Sequence, residues 1–274
     1  MPERFLILGS SSSGNCALLE TEQARILIDV GFSGRKTEQL LQRVGLTPHD
    51  IQAVFLTHEH QDHSSGVRGL CRYPHLEFFA NMDTAQALQE KLSRKVKWKI
   101  FETNSSFVYQ DLEVQAITAP HDAYDPVCFF FQWGHGDLFS PRRSLGWIND
   151  LGHVPEAILR RIARSEILVI ESNYDETMLE ADTKRPWSLK QRIRGRHGHL
   201  SNEETLQALK RIENPQWTHI FLTHLSRECN SVSLVEKVFG TFIQSMPRTV
   251  HCSVVPPDGE TILPCPFGSQ TLVG

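Results

Sequence analysis

Residues 53–63 read Ala-Val-Phe-Leu-Thr-His-Glu-His-Gln-Asp-His, an apolar strand that runs straight into three histidines and an aspartate. No other stretch limits the possible folds so strongly. Val54 to Leu56 carries no polar interruption, as expected of a strand in a sheet covered on both faces. His58, His60, Asp62 and His63 then place four metal-ligating side chains within six residues. Imidazole together with carboxylate suits zinc, manganese or iron(II), and a carboxylate is able to reach a second ion. His58 and His60, two apart, point the same way from an extended or turning backbone, while Asp62 and His63 fall on the next turn. A solvated loop that is merely His-rich is not expected to follow so apolar a strand.

The rest of the chain supplies further strands that end in polar residues. Phe5 to Leu8 predicts a strand ending at Gly9, followed by a polar loop, Ser10 to Asn15, whose hydroxyls and N–H groups suit an anion. Ala24 to Gly31 predicts a second strand, and Asp29 at its end is costly to bury without a group to orient. Helices are expected over 35–44 and 83–92, the latter capped by Asp83. Two or three strands are expected over 97–118, the last of them leading to His121, which on its own reads as a turn residue. Val127 to Trp133 predicts another strand, with a hairpin turn at 134–137. Glu166 to Ile170 predicts a strand ending in Glu171-Ser172-Asn173, and Ser201 with Glu204 forms a capping box. Thr218 to Thr223 leads to His224, so Phe-Leu-Thr-His occurs twice, at 55–58 and 221–224. The two runs suggest two similar half-units, each a mixed sheet with helices outside. Packed face to face they give an α+β fold, a four-layer αββα sandwich forming one domain over 1–274.

Composition bounds the function. The chain has 274 residues and a net charge of −4, so contact with nucleic acid would need a local basic patch. Two basic runs are candidates. One is Lys184, Arg185, Lys190, Arg192, Arg194 and Arg196; the other is Lys91, Arg94, Lys95, Lys97 and Lys99. No run approaches the ~20 apolar residues of a membrane span, and Met1-Pro2-Glu3-Arg4 lacks a signal pattern, so a cytoplasmic protein without membrane contact is expected. The six cysteines show no paired spacing and read as buried free thiols.

Taken together, Asp29, His58/His60/Asp62/His63, His121, Asp150 and His224 resemble, in order and approximate spacing, the motifs of the metallo-β-lactamase superfamily. Within it the chain is similar to the YycJ (WalJ, VicX) branch. That resemblance rests on Gly9 to Asn15, His121 to Pro126, Asp150-Leu151-Gly152, Glu171-Ser172-Asn173 and His197-Gly198-His199-Leu200-Ser201-Asn202. One departure is the longer segment before Asp150, which includes Ser140-Pro141-Arg142-Arg143 and Asn149 where the branch has a compact strand with a threonine.

The resemblance implies two divalent ions, zinc or manganese with iron also suited. His58, His60 and His121 would hold one and Asp62, His63 and His224 the other, with Asp150 shared; Asp62 thereby belongs to the catalytic set. Asp29 would orient a ligand histidine. Glu171 and His199, as in ribonuclease Z-like enzymes, would pass a proton to the leaving oxygen. Ser12, Asn15, Asn173 and Ser201 are the candidates for substrate contact. The implied activity is hydrolysis of phosphodiester bonds by a nuclease, on DNA more than RNA and possibly as an exonuclease. The alternative is a small-molecule hydrolase of the same fold, such as a glyoxalase II-like thioesterase or a lactonase. Sequence sets neither the native metal nor the oligomeric state.

Overall fold

The computed structural model describes residues 3–137, 141–259 and 261–265. Six strands come first: β1 (Arg4–Ser11), β2 (Gly14–Glu20), β3 (Arg25–Ile28), β4 (Ala53–Phe55), β5 (Glu77–Ala80) and β6 (Trp98–Ile100). Seven follow: β7 (Ser105–Tyr109), β8 (Leu112–Thr118), β9 (Val127–Trp133), β10 (Arg143–Ile148), β11 (Ile167–Glu171), β12 (His219–Thr223) and β13 (His251–Val254). A last strand, β14 (Leu263–Cys265), returns to pair with β1. They form two seven-stranded sheets, ordered β14-β1-β2-β3-β4-β5-β6 and β7-β8-β9-β10-β11-β12-β13.

Both sheets share one pairing pattern. From β14 and from β7, three antiparallel pairs are followed by three parallel ones. Parallel neighbours need crossovers, and these carry the helices. In the first half they are α1 (Gly34–Arg43), α2 (Gln61–Ser64), α3 (Val67–Leu70) and α4 (Met82–Gln89). In the second they are α5 (Glu156–Ile162), α6 (Glu176–Ala181), α7 (Trp187–Ile193), α8 (Asn202–Lys210) and α9 (Val232–Gln244). The two half-units are therefore real, but the Phe-Leu-Thr-His repeat does not mark equivalent strands. β4 is fifth in its sheet and β12 sixth. The equivalent fourth strands are β3 and β10, which lead to Asp29 and Asp150.

Alternation along each strand sends side chains into separate apolar layers. Ala53 and Phe55 of β4 join the core between the sheets, with Ile167 and Val169 of β11. Val54 faces the outer layer with Leu40, Leu41, Leu70 and Leu88, while Leu168 and Ile170 face Leu159, Leu209 and Phe239. The strands read as continuous apolar runs because both faces are covered. This is the four-layer αββα arrangement, with Phe55 as an aromatic hub stacked on Phe79 at 4.5 Å and meeting Phe131 edge-on at 5.6 Å.

Several local expectations need correction. Ser10 to Asn15 is not a loop: β1 continues to Ser11, β2 starts at Gly14, and only Ser12 and Ser13 turn the hairpin. Polar composition hid a strand pair that is buried under the site. The cap of α4 is Asn81, whose side chain accepts from Thr84 N–H, not Asp83. The segment before Asp150 is an ordinary strand, β10, from Arg143 to Ile148, and Ser140 lies outside the described residues. Residues 187–193, noted only for their charge, form α7. Cys71 and Cys252 are half-buried; all six cysteines are free thiols. Among the described residues no helix is long and apolar enough to cross a membrane.

One close approach couples fold to site. Gly31 lies against the turn that carries Asp62, and a Cβ there would stand 1.6 Å from the Asp62 carbonyl oxygen. Gly31→Ala is therefore expected to lower unfolding free energy by about 2 kcal/mol or more, read from urea denaturation. An unchanged midpoint would show that this turn moves freely relative to β3.

Candidate metal centre

The site is built where strand ends from both sheets meet at one rim. β3 delivers Asp29, β4 His58, β8 His121, β10 Asp150, β11 Glu171 and β12 His224. Three of these turn sharply off their strands: Asp29, Asp150 and His224 have φ of 55°, 59° and 58°. Left-handed backbone is unfavourable for side chains other than glycine and persists where surrounding contacts hold it. His60 precedes α2 as its N-cap residue, and Asp62 and His63 occupy that helix's only turn.

His58, His60 and His121 converge on one point, their donor atoms all within 4.8 Å of one another. His121 Nδ1 is committed to the Gly198 carbonyl at 3.0 Å, which leaves Nε2 as a lone pair. That atom faces His60 Nδ1 at 3.2 Å. His58 Nδ1 meets the Thr57 hydroxyl at 3.0 Å, whereas its buried Nε2 has no hydrogen-bond partner. Burial, reinforced by the neighbouring histidines, pushes His58 well below the ordinary imidazole range and lowers His121 too, so both rings are neutral. Neutral imidazole nitrogens turned on one another with an orphaned buried member are satisfied by a cation. The donor set fits a divalent metal.

A second group, Asp62, His63 and His224, lies beside the first. His224 Nε2 is 3.2 Å from Asp62 Oδ2, and His63 Nε2 is 2.8 Å from Asp150 Oδ2. Asp150 also reaches the first group, with Oδ1 3.9 Å from His121 Nε2. It is the carboxylate that faces both among the described residues, and His58 and His63 lie together against it. Burial opposes ionisation of Asp150, yet His224 and His63 hold it well below the carboxylate range. The same pairing acts in reverse on the rings. Burial pulls them down, but Asp150 above all raises His63 well above the usual imidazole range and His224 to about 10.

Carboxylates behind these rings fix their orientation. Asp29 is fully buried and accepts from Thr57 N–H at 2.9 Å, the Thr57 hydroxyl at 3.0 Å and the Trp147 indole N–H at 3.1 Å, with His63 Nδ1 at 2.8 Å. Glu171, also fully buried, takes Leu151 N–H at 2.5 Å and Leu200 N–H at 3.2 Å on one oxygen. Its other oxygen lies 3.1 Å from His199 Nδ1 and 3.2 Å from His224 Nδ1. His199 is held 3.3 Å from Asp150 Oδ1. Burial lowers the His199 pKa, but Glu171 and Asp150 raise it above the ordinary value. The Asp150 and His199 turns can pack this closely because Gly152 lies against the Arg196–His197 peptide, where a Cβ would be 2.2 Å from the Arg196 carbonyl carbon.

All seven candidate ligands thus come together, with Asp29, Glu171 and His199 against them. The four candidates for substrate contact divide differently. Ser12 is exposed at the hairpin tip. Asn15 is buried, its amide 3.1 Å from His63 Nε2 and its Oδ1 accepting from Ser10. Asn173 donates to the His224 carbonyl at 2.8 Å, and Ser201 caps α8. Asn15, Asn173 and Ser201 thus have polar groups engaged inside the fold, against His63, the His224 carbonyl and the start of α8. The basic run at 184–196 is similarly spent. Arg185 pairs with Asp182 and Glu228, Arg192 with Asp122, and Arg194 with Glu176 and Glu180, while Lys190 donates to the Glu180 carbonyl.

Sequence reasoning missed the residues that tie the ends together. Thr57 binds Asp29, and Thr223 donates to Asn149 at 2.7 Å. Ser10 accepts the His224 N–H at 2.9 Å, and Trp147 reaches Asp29 from the other sheet. The threonines were visible in the Phe-Leu-Thr-His repeat; the pairing of Trp147 with Asp29 spans 118 positions and left no local signal.

Two outcomes follow from this geometry. Without metal, His63 and His224 carry protons at neutral pH, so loading must expel protons and apparent affinity should rise with pH. Calorimetric titration in buffers of different ionisation enthalpy should register that release; identical heats would contradict it. Asp29→Asn, which leaves every ligand in place, should weaken metal binding by about 10–100-fold, measured by competition with a chelating dye. Asp150→Ala should cost more.

Comparison with known proteins places this arrangement. The model of the Beta-lactamase superfamily domain matches residues 24–225. Exodeoxyribonuclease WalJ of Streptococcus pneumoniae is 34% identical over 231 residues, 83% of each chain. Exodeoxyribonuclease YycJ of Bacillus anthracis is 33% identical over 247 residues, 86% of this chain and 90% of that one. The crystal structure of Zn(2+)-bound PqqB from Methylobacterium extorquens superimposes with a TM-score of 0.67 at 16% identity, covering 95% of this chain and 99% of the other. With these matches and the two-sheet fold that carries the histidine–aspartate rim, the chain belongs to the β-lactamase superfamily and has the metallo-β-lactamase fold.

Proposed function

We propose that this protein is a metal-dependent nuclease that hydrolyses phosphodiester bonds in DNA, working from a strand end, with residues 1–274 acting as one domain. His58, His60 and His121 would hold one divalent ion and Asp62, His63 and His224 a second, with Asp150 common to both; zinc or manganese suits the set, and iron is compatible with it. Ions bound there supply an acidified water near neutral pH and positive charge beside the attacked phosphate.

The observation that carries this reading is the His199–Glu171 pair at the edge of the ligand cluster. Hydrolysis of a phosphodiester expels an alkoxide, which needs a proton as its bond to phosphorus breaks. Glu171 engages His199 Nδ1 and favours the charged ring, so the proton on the other ring nitrogen is available to the leaving oxygen. Asp29 keeps His63 and Glu171 keeps His224 in fixed orientation, so these rings need not reorganise during reaction. The similarity to two exodeoxyribonucleases over most of both chains supports the same substrate class. A thioesterase of this fold would expel a thiolate, which leaves without a proton, and would give His199 nothing to do.

His199→Ala should retain its metal yet lose roughly 10²-fold or more on DNA. It should lose far less on bis-p-nitrophenyl phosphate, whose leaving group is stable unprotonated. Equal losses on both substrates at full metal content would sink the acid role. Elemental analysis of protein purified without chelator should find about two ions per chain, and chelation should abolish hydrolysis of both substrates.

A further inference from the structure

The two basic runs differ in a way that only the fold reveals. The run at 184–196 is largely neutralised, whereas Lys91, Arg94, Lys95 and Lys97 are exposed and in no ion pair among the described residues. They line two depressions on the surface of the first half-unit. In one, Gln61, which stands between His60 and Asp62, lies with Ser65, Arg68 and Lys91. In the other, Arg72 and Tyr73 lie with Arg94, Lys95 and Lys97.

Both depressions are bordered by the same two segments, the stretch from α2 to β5 on one side and the end of α4 through residue 97 on the other. Arg68 ties the two segments by donating to the Lys91 carbonyl at 3.2 Å. The only acid in the lining is Glu59, which is buried and has one oxygen committed to the Tyr124 N–H. Arg72 is paired with Glu38, which leaves Arg68, Lys91, Arg94, Lys95 and Lys97 as uncompensated charge. Five cations gathered along these two depressions of a protein of net charge −4 repel one another. A regularly spaced polyanion relieves that repulsion and releases its own counterions.

We propose that this basic face, which comes nearest the candidate metal centre at Gln61, holds the sugar–phosphate backbone of the substrate strand through Arg68, Lys91, Arg94, Lys95 and Lys97. The inference rests on the nuclease reading and adds where the strand is held. The contacts are to phosphates, so they govern affinity and processive hold without reading sequence.

The test is the metal-loaded variant Lys91→Ala/Arg94→Ala/Lys95→Ala/Lys97→Ala, compared with the parent on a single-stranded oligonucleotide of about 20 residues across a salt series. Loss of up to four phosphate contacts should reduce the dependence of log(kcat/KM) on log salt by up to about 3. KM should rise about tenfold or more near physiological salt, with kcat little changed. The defect should be absent on bis-p-nitrophenyl phosphate, which is too small to engage the basic face and reports an intact fold. Lys184→Ala/Arg196→Ala, which removes exposed charge from the other run, should leave the salt slope as in the parent. An unchanged salt slope and KM in the fourfold variant would overturn that placement while leaving the nuclease reading standing. Parent enzyme that cleaves bis-p-nitrophenyl phosphate but no oligonucleotide would overturn both.

Discussion

The Asp29 carboxylate is the contact on which the site depends. It sits at the end of β3 with no exposure to water, where an unpartnered carboxylate would cost several kcal/mol. Its partners come from both halves of the molecule: Thr57 after β4 in the first sheet, Trp147 on β10 in the second, and the His63 ring. A single buried charge thus joins sheet to sheet directly beneath the candidate metal ligands. Because removing any one donor would leave that charge under-solvated, the network locks the relative placement of the strand ends. His63 inherits its orientation from it.

The pseudo-repeat explains why Asp29 and Asp150 look alike and act differently. Both follow the fourth strand of their sheet and both take left-handed backbone, with φ of 55° and 59°. Equivalent positions in two similar half-units therefore turn a carboxylate toward the rim. Asp29 is then sealed off by Trp147 and Thr57, whereas Asp150 is placed between the two histidine groups. One carboxylate holds a ligand and its counterpart faces both ligand groups. Strain at Asp29, Asp150 and His224 is tolerable because each residue is held by contacts on both sides.

Much of this was legible in the sequence, for identifiable reasons. Fully apolar runs that end abruptly in histidine, aspartate or glutamate gave the strand ends at His58, Glu171 and His224, because burial on both faces leaves no other composition possible. The repeated Phe-Leu-Thr-His suggested the two-sheet architecture, although it does not mark equivalent strands. What stayed hidden was set by tertiary context. β2 reads as a turn because Gly14 and Asn15 have low strand propensity, yet it is central in its sheet and packed beneath the metal loop. Asn15, Asn173 and Ser201 looked like polar groups awaiting a substrate until their partners at His63, the His224 carbonyl and Glu204 became visible. Charge runs were ambiguous for the same reason. The acids that neutralise Arg192 and Arg185 lie 70 and 43 positions away, at Asp122 and Glu228.

Exposure divides the candidate site residues into those sealed inside the fold and those open to water. Asp29, His63 and Glu171 are fully buried, and His58, His224 and Asp150 are nearly so. Asp62 and His199 are the exceptions, with side chains about a fifth exposed, and His60 is also partly open. His60 and Asp62 flank Gln61, which lines one of the basic depressions. Buried members see a low dielectric, in which their mutual charges are strong and their positions costly to change. The open members can exchange protons with, or lie against, a group arriving from water. A rigid, charged floor with a narrow reactive edge is what attack on a polyanion requires. The floor supplies the field, and the edge alone has to adapt to the strand.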